Sequence, residues 1–189
     1  MNPQPRSFKR SVFTSYLDEL RSAGLLGEVR ARASTELRAL LDAPRKAEPW
    51  MGPLPLDEIN TAVAALGGRE AVRRLGFQVM KRGFTTVMEP IIHVSLTLLG
   101  ASPASLFSRA QLMLAVTSRG VQMEWVANGP ASGTMHVVCG ELVPPSSWAA
   151  WEGCLLYGLE LAGSSGTVGE ARPAADGHSC EIDVSWTPK

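Results

Sequence analysis

The chain has 189 residues, 45% apolar and 19% charged. That is enough to bury a core without disulfide or metal staples, and the composition excludes a disordered chain. Lysine plus arginine equals aspartate plus glutamate, 18 each, which excludes a general electrostatic grip on nucleic acid or an anionic membrane.

The start, MNPQPRSFKR, has no apolar run after its basic residues, so no signal peptide is expected. Phe13, Leu17 and Leu20 recur at helical spacing and predict a helix over Phe8–Leu20, ended by Gly24. Leu37, Leu40 and Leu41 predict a second over Ser34–Leu41, with Ser34 or Thr35 as its cap. The four prolines of DAPRKAEPWMGPLPLDE forbid a continuous helix, so this stretch reads as a loop pinned by Trp50. Asp57 is then expected to cap a helix that ends at Gly67-Gly68. Another is expected from Arg69 to about Lys81. Gly83 separates it from a third over Phe84–Leu99, kinked at Pro90. The apolar run Ile91–Leu99 is interrupted by His93, Ser95 and Thr97 and falls short of the roughly 20 residues that span a bilayer. Pro103–Thr117 is the next helix.

At Gly120 the period changes from helical to alternating. VQMEWV and TMHVVCGEL, separated by Asn128-Gly129-Pro130, predict an antiparallel pair. Pro144-Pro145 introduces a helix over Trp148–Ala162. GTVGEAR and SCEIDVSW follow as strands joined through Asp176-Gly177. The expected fold is α+β: N-terminal helices packed on an antiparallel sheet of about four strands in β-β-α-β-β order. Residues 1–55 form a helical segment and Pro-rich loop, and residues 56–189 an α+β ligand-binding, sensor-like domain.

Few residues suggest chemistry. No G-x-S-x-G, Walker loop or G-x-G-x-x-G is present, so hydrolysis and nucleotide binding are not expected, nor is the chain expected to be an enzyme. Cys139, Cys154, His178 and Cys180 could gather as a zinc site, but no C-x-x-C or H-x-x-x-H pair supports it, so no metal is favoured. The odd count of three cysteines and their scatter differ from a secreted disulfide framework, and reduced thiols in the cytoplasm are expected. Cys180 shares parity with Ile182, Val184 and Trp186, as a buried strand residue would. His93, on an apolar helix, could ligate haem iron or be a core histidine. The helix WAAWEGCLLYGLELA is apolar nearly all round, as a buried helix or a covered one is. Trp148, Trp151, Gly153, Leu155, Tyr157 and Gly158 are its candidates for a ligand pocket or an interface, with His93 beside them.

Cys139-Gly140, WEGCLLYGLELAG, and a last hairpin with Glu170, Gly177 and Cys180 ending in Trp186 together resemble an uncharacterised paralogous family of myxobacterial proteins. That family is distantly similar to vinyl-reductase-like and haem-NO-binding small-molecule sensor domains. The resemblance covers Gly68 to Trp186 and implies a sensor-like α+β domain around a pocket. Ala171-Arg172-Pro173 stands where the vinyl-reductase-like pattern has a further cysteine. The Tyr-x-Ser-x-Arg haem propionate signature is missing; Leu106-Phe107-Ser108-Arg109 and Thr117-Ser118-Arg119 are its nearest strings. His93 stands roughly where that family's axial ligand would. The expected function is a non-enzymatic regulatory module that holds an apolar ligand or a protein partner, with no cofactor favoured. A haem- or zinc-dependent sensor and a homodimeric interaction protein are the alternatives.

Overall fold

A computed structural model describes residues 4–42, 49–87 and 102–187. The N-terminal half is helical: α1 (Arg10–Ser22), α2 (Leu26–Arg32), α3 (Thr35–Asp42) and the long α4 (Leu54–Val87). Two short strands frame these, β1 (Ser7–Lys9) and β2 (Trp50–Met51). Then come α5 (Pro103–Phe107), α6 (Ala110–Ala115), β3 (Ser118–Arg119), β4 (Val121–Gly129) and β5 (Ser132–Cys139). The chain ends with α7 (Pro145–Leu161), β6 (Gly166–Val168), β7 (Arg172–Pro173) and β8 (Ser179–Trp186). The β-β-α-β-β order of the C-terminal half is therefore as its periodicities predict.

The main sheet runs β4-β5-β8-β6, all neighbours antiparallel, and β7 pairs with β8 beside this path. Val137 faces Cys180 across β5 and β8, and Val168 faces Val184 across β6 and β8. Period two puts Met135, Val137, Ile182 and Val184 on the inner face, where each is almost wholly shielded from water. α7 lies between that face and α4, contacting β6 and β8 on one side and α4 along its length on the other. This explains why it is apolar all round: one side fills the sheet's core and the other fills a helix pair.

Four local expectations are corrected. Phe8 lies in β1, because main-chain pairing with Met51 and Ser118 wins over helical continuation. Asp57 sits inside α4, which starts at Leu54, and is buried against Arg6 instead of capping the helix. The 103–117 helix is two pieces, α5 and α6, with Ser108 and Arg109 between them. α4 also passes Gly83 and reaches Val87, since a single half-buried glycine costs about 1 kcal/mol and does not stop a helix that is otherwise packed. By contrast, Gly67-Gly68 is a true break. Gly68 has φ 70°, a conformation that costs a residue with Cβ but not glycine. The predicted Pro90 kink lies outside the described residues.

The N-terminal helices pack on the rest of the chain. α1 and α2 lie against α4, and β1 joins β2 to β3 in a three-stranded sheet. Trp50 is half-buried there with the Arg119 guanidinium 4.0 Å above its ring centroid.

Candidate functional site

A cavity of about 560 Å³ opens where α1, the C-terminal part of α4, α5–α6 and α7 meet. Its volume lies in the range of small-molecule pockets, roughly 300–1,000 Å³. Amphipathic spacing builds each wall. Val79 and Met80 come from α4, Leu106 and Phe107 from α5, and Ala110 and Met113 from α6. α7 contributes Trp151, Cys154, Leu155, Tyr157, Gly158 and Leu161, which recur at three- and four-residue steps along one side. The lining is mostly apolar, and the polar atoms gather on the α1 side at Ser11, Thr14, Ser15 and Asp18.

Aromatic contacts stiffen two of these walls. Tyr157 meets Phe77 edge-on, with ring centroids 5.9 Å apart at 83°. Phe107 packs at 5.0 Å on Trp125, which also stacks near Trp186. Gly158 leaves room for Phe107: a Cβ there would come within 2.8 Å of its ring.

The structure thus brings Trp151, Leu155, Tyr157 and Gly158 to one cavity. Trp148 and Gly153 point elsewhere. Trp148 is 1% exposed, within the main core. Gly153 lies against the α4 backbone, where a Cβ would stand 2.0 Å from the Arg73 carbonyl oxygen. His93 lies outside the described residues. The α1 and α5–α6 residues of the wall carry no motif; they read in sequence only as helix faces, and nothing local says that those faces meet.

The cysteines do not form a cluster with His178. Among the described residues, no group of three or more His, Cys, Asp or Glu is placed to hold a metal ion. Cys139 and Cys180 are buried in the sheet's inner layer, and Cys154 borders the cavity. Burial pushes the thiols up, Cys139 to about 11 and Cys154 and Cys180 to about 12, so each is a neutral thiol at physiological pH. The His178 stretch is a hairpin mouth: its N–H donates to Asp176 Oδ1 at 2.9 Å, and its carbonyl accepts from Cys139 N–H at 2.7 Å.

A second polar feature lies under α7. Glu152 is fully buried and its Oε1 accepts from the Arg69 guanidinium and, at 2.7 Å, from the Ala171 N–H. It ties α4 and the β6–β7 connection to α7. Its interior position makes it a structural clamp.

Comparison with known proteins fits this architecture. A family model described as "Protein of unknown function (DUF2378)" matches residues 10–187. The chain belongs to the DUF2378 family. No curated protein matches it. Among solved structures, the Fe(II) unliganded H-NOX protein from K. algicida superposes with a TM-score of 0.68 at 11% identity, covering 96% of this chain and 97% of that one. Its A71G mutant gives 0.69 at 10% identity, with 96% and 97% covered. An oxygen-binding H-NOX domain related to soluble guanylate cyclases gives 0.63 at 12% identity, with 95% of each chain covered. At these identities the likeness is one of fold: this DUF2378 chain has an H-NOX-like α+β fold.

H-NOX neighbours raise haem as a question for the DUF2378 cavity. Its described lining fits haem poorly. It offers no imidazole, and its thiol, Cys154, is held protonated. Its one cationic side chain among the described residues, Arg82, donates to Glu19 at 2.8 Å and to Ser22 at 2.9 Å, and Asp18 also lines the cavity. Two propionates would meet an acid and one engaged guanidinium.

Proposed function

We propose that this protein is a non-enzymatic, cytoplasmic binding module whose ligand is a small apolar molecule held in the cavity between α1, α4, α5–α6 and α7. The observation that carries the reading is the cavity itself: about 560 Å³, walled mainly by apolar side chains from five helices. Such a pocket removes apolar surface from water at roughly 25 cal/mol per Å². A ligand that bridges α1 to α7 changes how the N-terminal helices sit on the sheet domain, which gives the module a readable signal.

The uncharged dye N-phenyl-1-naphthylamine tests this. Its fluorescence is expected to rise saturably at one dye per chain. Met113→Trp, which fills the cavity from α6, is expected to weaken the dye at least about tenfold with the far-ultraviolet spectrum unchanged. Equal binding by both proteins would remove the cavity as the site.

The fold likeness to H-NOX proteins favours a second reading, haem held through His93. An absorption spectrum of the purified protein separates the two. A Soret band lost in His93→Ala would put haem first. A colourless protein that retains no haem after incubation with haemin and removal of the excess leaves the apolar ligand. A protein partner docked on α7 itself has less support, because ten residues of that helix are buried by its own chain.

A further inference from the structure

Four side-chain hydrogens of the described lining are already committed. Thr14 Oγ1 donates to the Arg10 carbonyl at 3.2 Å, and Ser15 Oγ to the Ser11 carbonyl at 3.1 Å. Thr117 Oγ1 donates to the Leu114 carbonyl at 3.3 Å, and Cys154 Sγ to the Gly76 carbonyl at 3.9 Å. Each of these groups lines the cavity. A hydroxyl that has donated its proton keeps its lone pairs, so what it offers a ligand is an acceptor. Asp18 is acceptor-only as well: Arg21 reaches its Oδ1 at 3.0 Å, and further lone pairs remain. Arg82, the cationic group of the described lining, turns to Glu19 and Ser22.

Thr14, Ser15 and Asp18 therefore offer acceptors at the α1 edge of an apolar interior. A carboxylate or phosphate placed there would meet lone pairs and the Asp18 carboxylate. A hydroxyl or an amine would find partners. Resting on the binding reading above, we infer that the ligand is an apolar molecule whose polar group donates hydrogen bonds, an alcohol or an amine, with that group at Thr14, Ser15 and Asp18.

Three probes with one chain length isolate the head group. Dodecan-1-ol, dodecylamine and dodecanoate are titrated at neutral pH, below the solubility limit of the alcohol and the micelle concentrations of the other two, against the protein loaded with N-phenyl-1-naphthylamine. Dodecanol and dodecylamine are expected to displace the dye, and dodecanoate to need a concentration at least about tenfold higher. Thr14→Lys places a cationic donor at an exposed position of the rim. With each competition scaled to the variant's own dye affinity, it is expected to bring dodecanoate within about threefold of dodecanol. Dodecanoate that competes with wild type as well as dodecanol does overturns the head-group assignment and leaves the binding reading standing. Dodecanoate that stays weak in Thr14→Lys overturns the placement of the head at α1. A wild-type protein that does not bind the dye overturns both.

Discussion

Arg6 and Asp57 are 51 residues apart, and their side chains are only 3% and 9% exposed. Arg6 Nη2 reaches Asp57 Oδ2 at 2.6 Å and the Leu142 carbonyl at 3.1 Å, and Ser147 Oγ donates to Asp57 Oδ1 at 2.8 Å. One ion pair thus ties the N-terminus to the starts of α4 and α7. Arg6→Met would leave the Asp57 carboxylate buried without its cation, and a loss of about 3–5 kcal/mol is expected by chemical denaturation. A loss below about 1 kcal/mol would mean that water reaches Asp57. The sequence shows Asp57 only as an acid before an apolar helical run, which is how a cap looks. Its partner is set by long-range packing that no local pattern encodes. The thiols were more legible. Parity alone marked Cys180 as buried, and the structure buries it with Cys139. Because folding raises all three thiols above their ordinary value, their stabilisation is whole below about pH 8.5 and falls as pH rises toward 11–12. Stability should therefore decline from pH 9 to pH 11, and a Cys139→Ala, Cys180→Ala double variant should decline less steeply. Parallel curves would contradict the burial of these thiols.

At the scale of elements, α4 and α7 meet backbone to backbone. A Cβ at Gly153 would stand 2.0 Å from the Arg73 oxygen and 2.5 Å from the Phe77 nitrogen, and one at Gly76 would stand 2.2 Å from the Ala150 oxygen. Helix propensity favours alanine over glycine by about 1 kcal/mol. Here main-chain atoms block it, and overpacking of this kind costs about 1–3 kcal/mol. Gly153→Ala is thus expected to lower the thermal midpoint, whereas Gly158→Ala, which meets the side chains of Phe107 and Leu106 and no backbone, should change it less. The reverse order would place the close contact at the wrong glycine. In sequence, both glycines simply weaken a strongly apolar helix. Their two roles, helix contact and cavity wall, emerge only when α4 and α5 are packed on either side. Long periodic elements were readable, as α1, α7 and β8 illustrate. Short ones were not: β1 and β2 exist because they pair with each other, and α2 carries only one buried apolar residue, Val29.

For the whole molecule, the switch from helical to alternating period at Gly120 sufficed to predict an α+β chain with its sheet at the C-terminal end. The cavity was beyond that reading. Its walls come from residues as far apart as Ser11 and Leu161, and only tertiary packing brings them together. Methionine methyl resonances report on this arrangement most directly. Met80, Met113 and Met123 line the cavity, while Met51 lies in β2 and Met135 is 0% exposed in the sheet's core. In a titration of protein carrying ¹³C-labelled methionine methyls with N-phenyl-1-naphthylamine, the resonances of Met80, Met113 and Met123 are expected to shift together and saturate at one equivalent. Those of Met51 and Met135 should stay in place. Shifts confined to Met51 or Met135, or none at saturating dye, would contradict a ligand site between these helices.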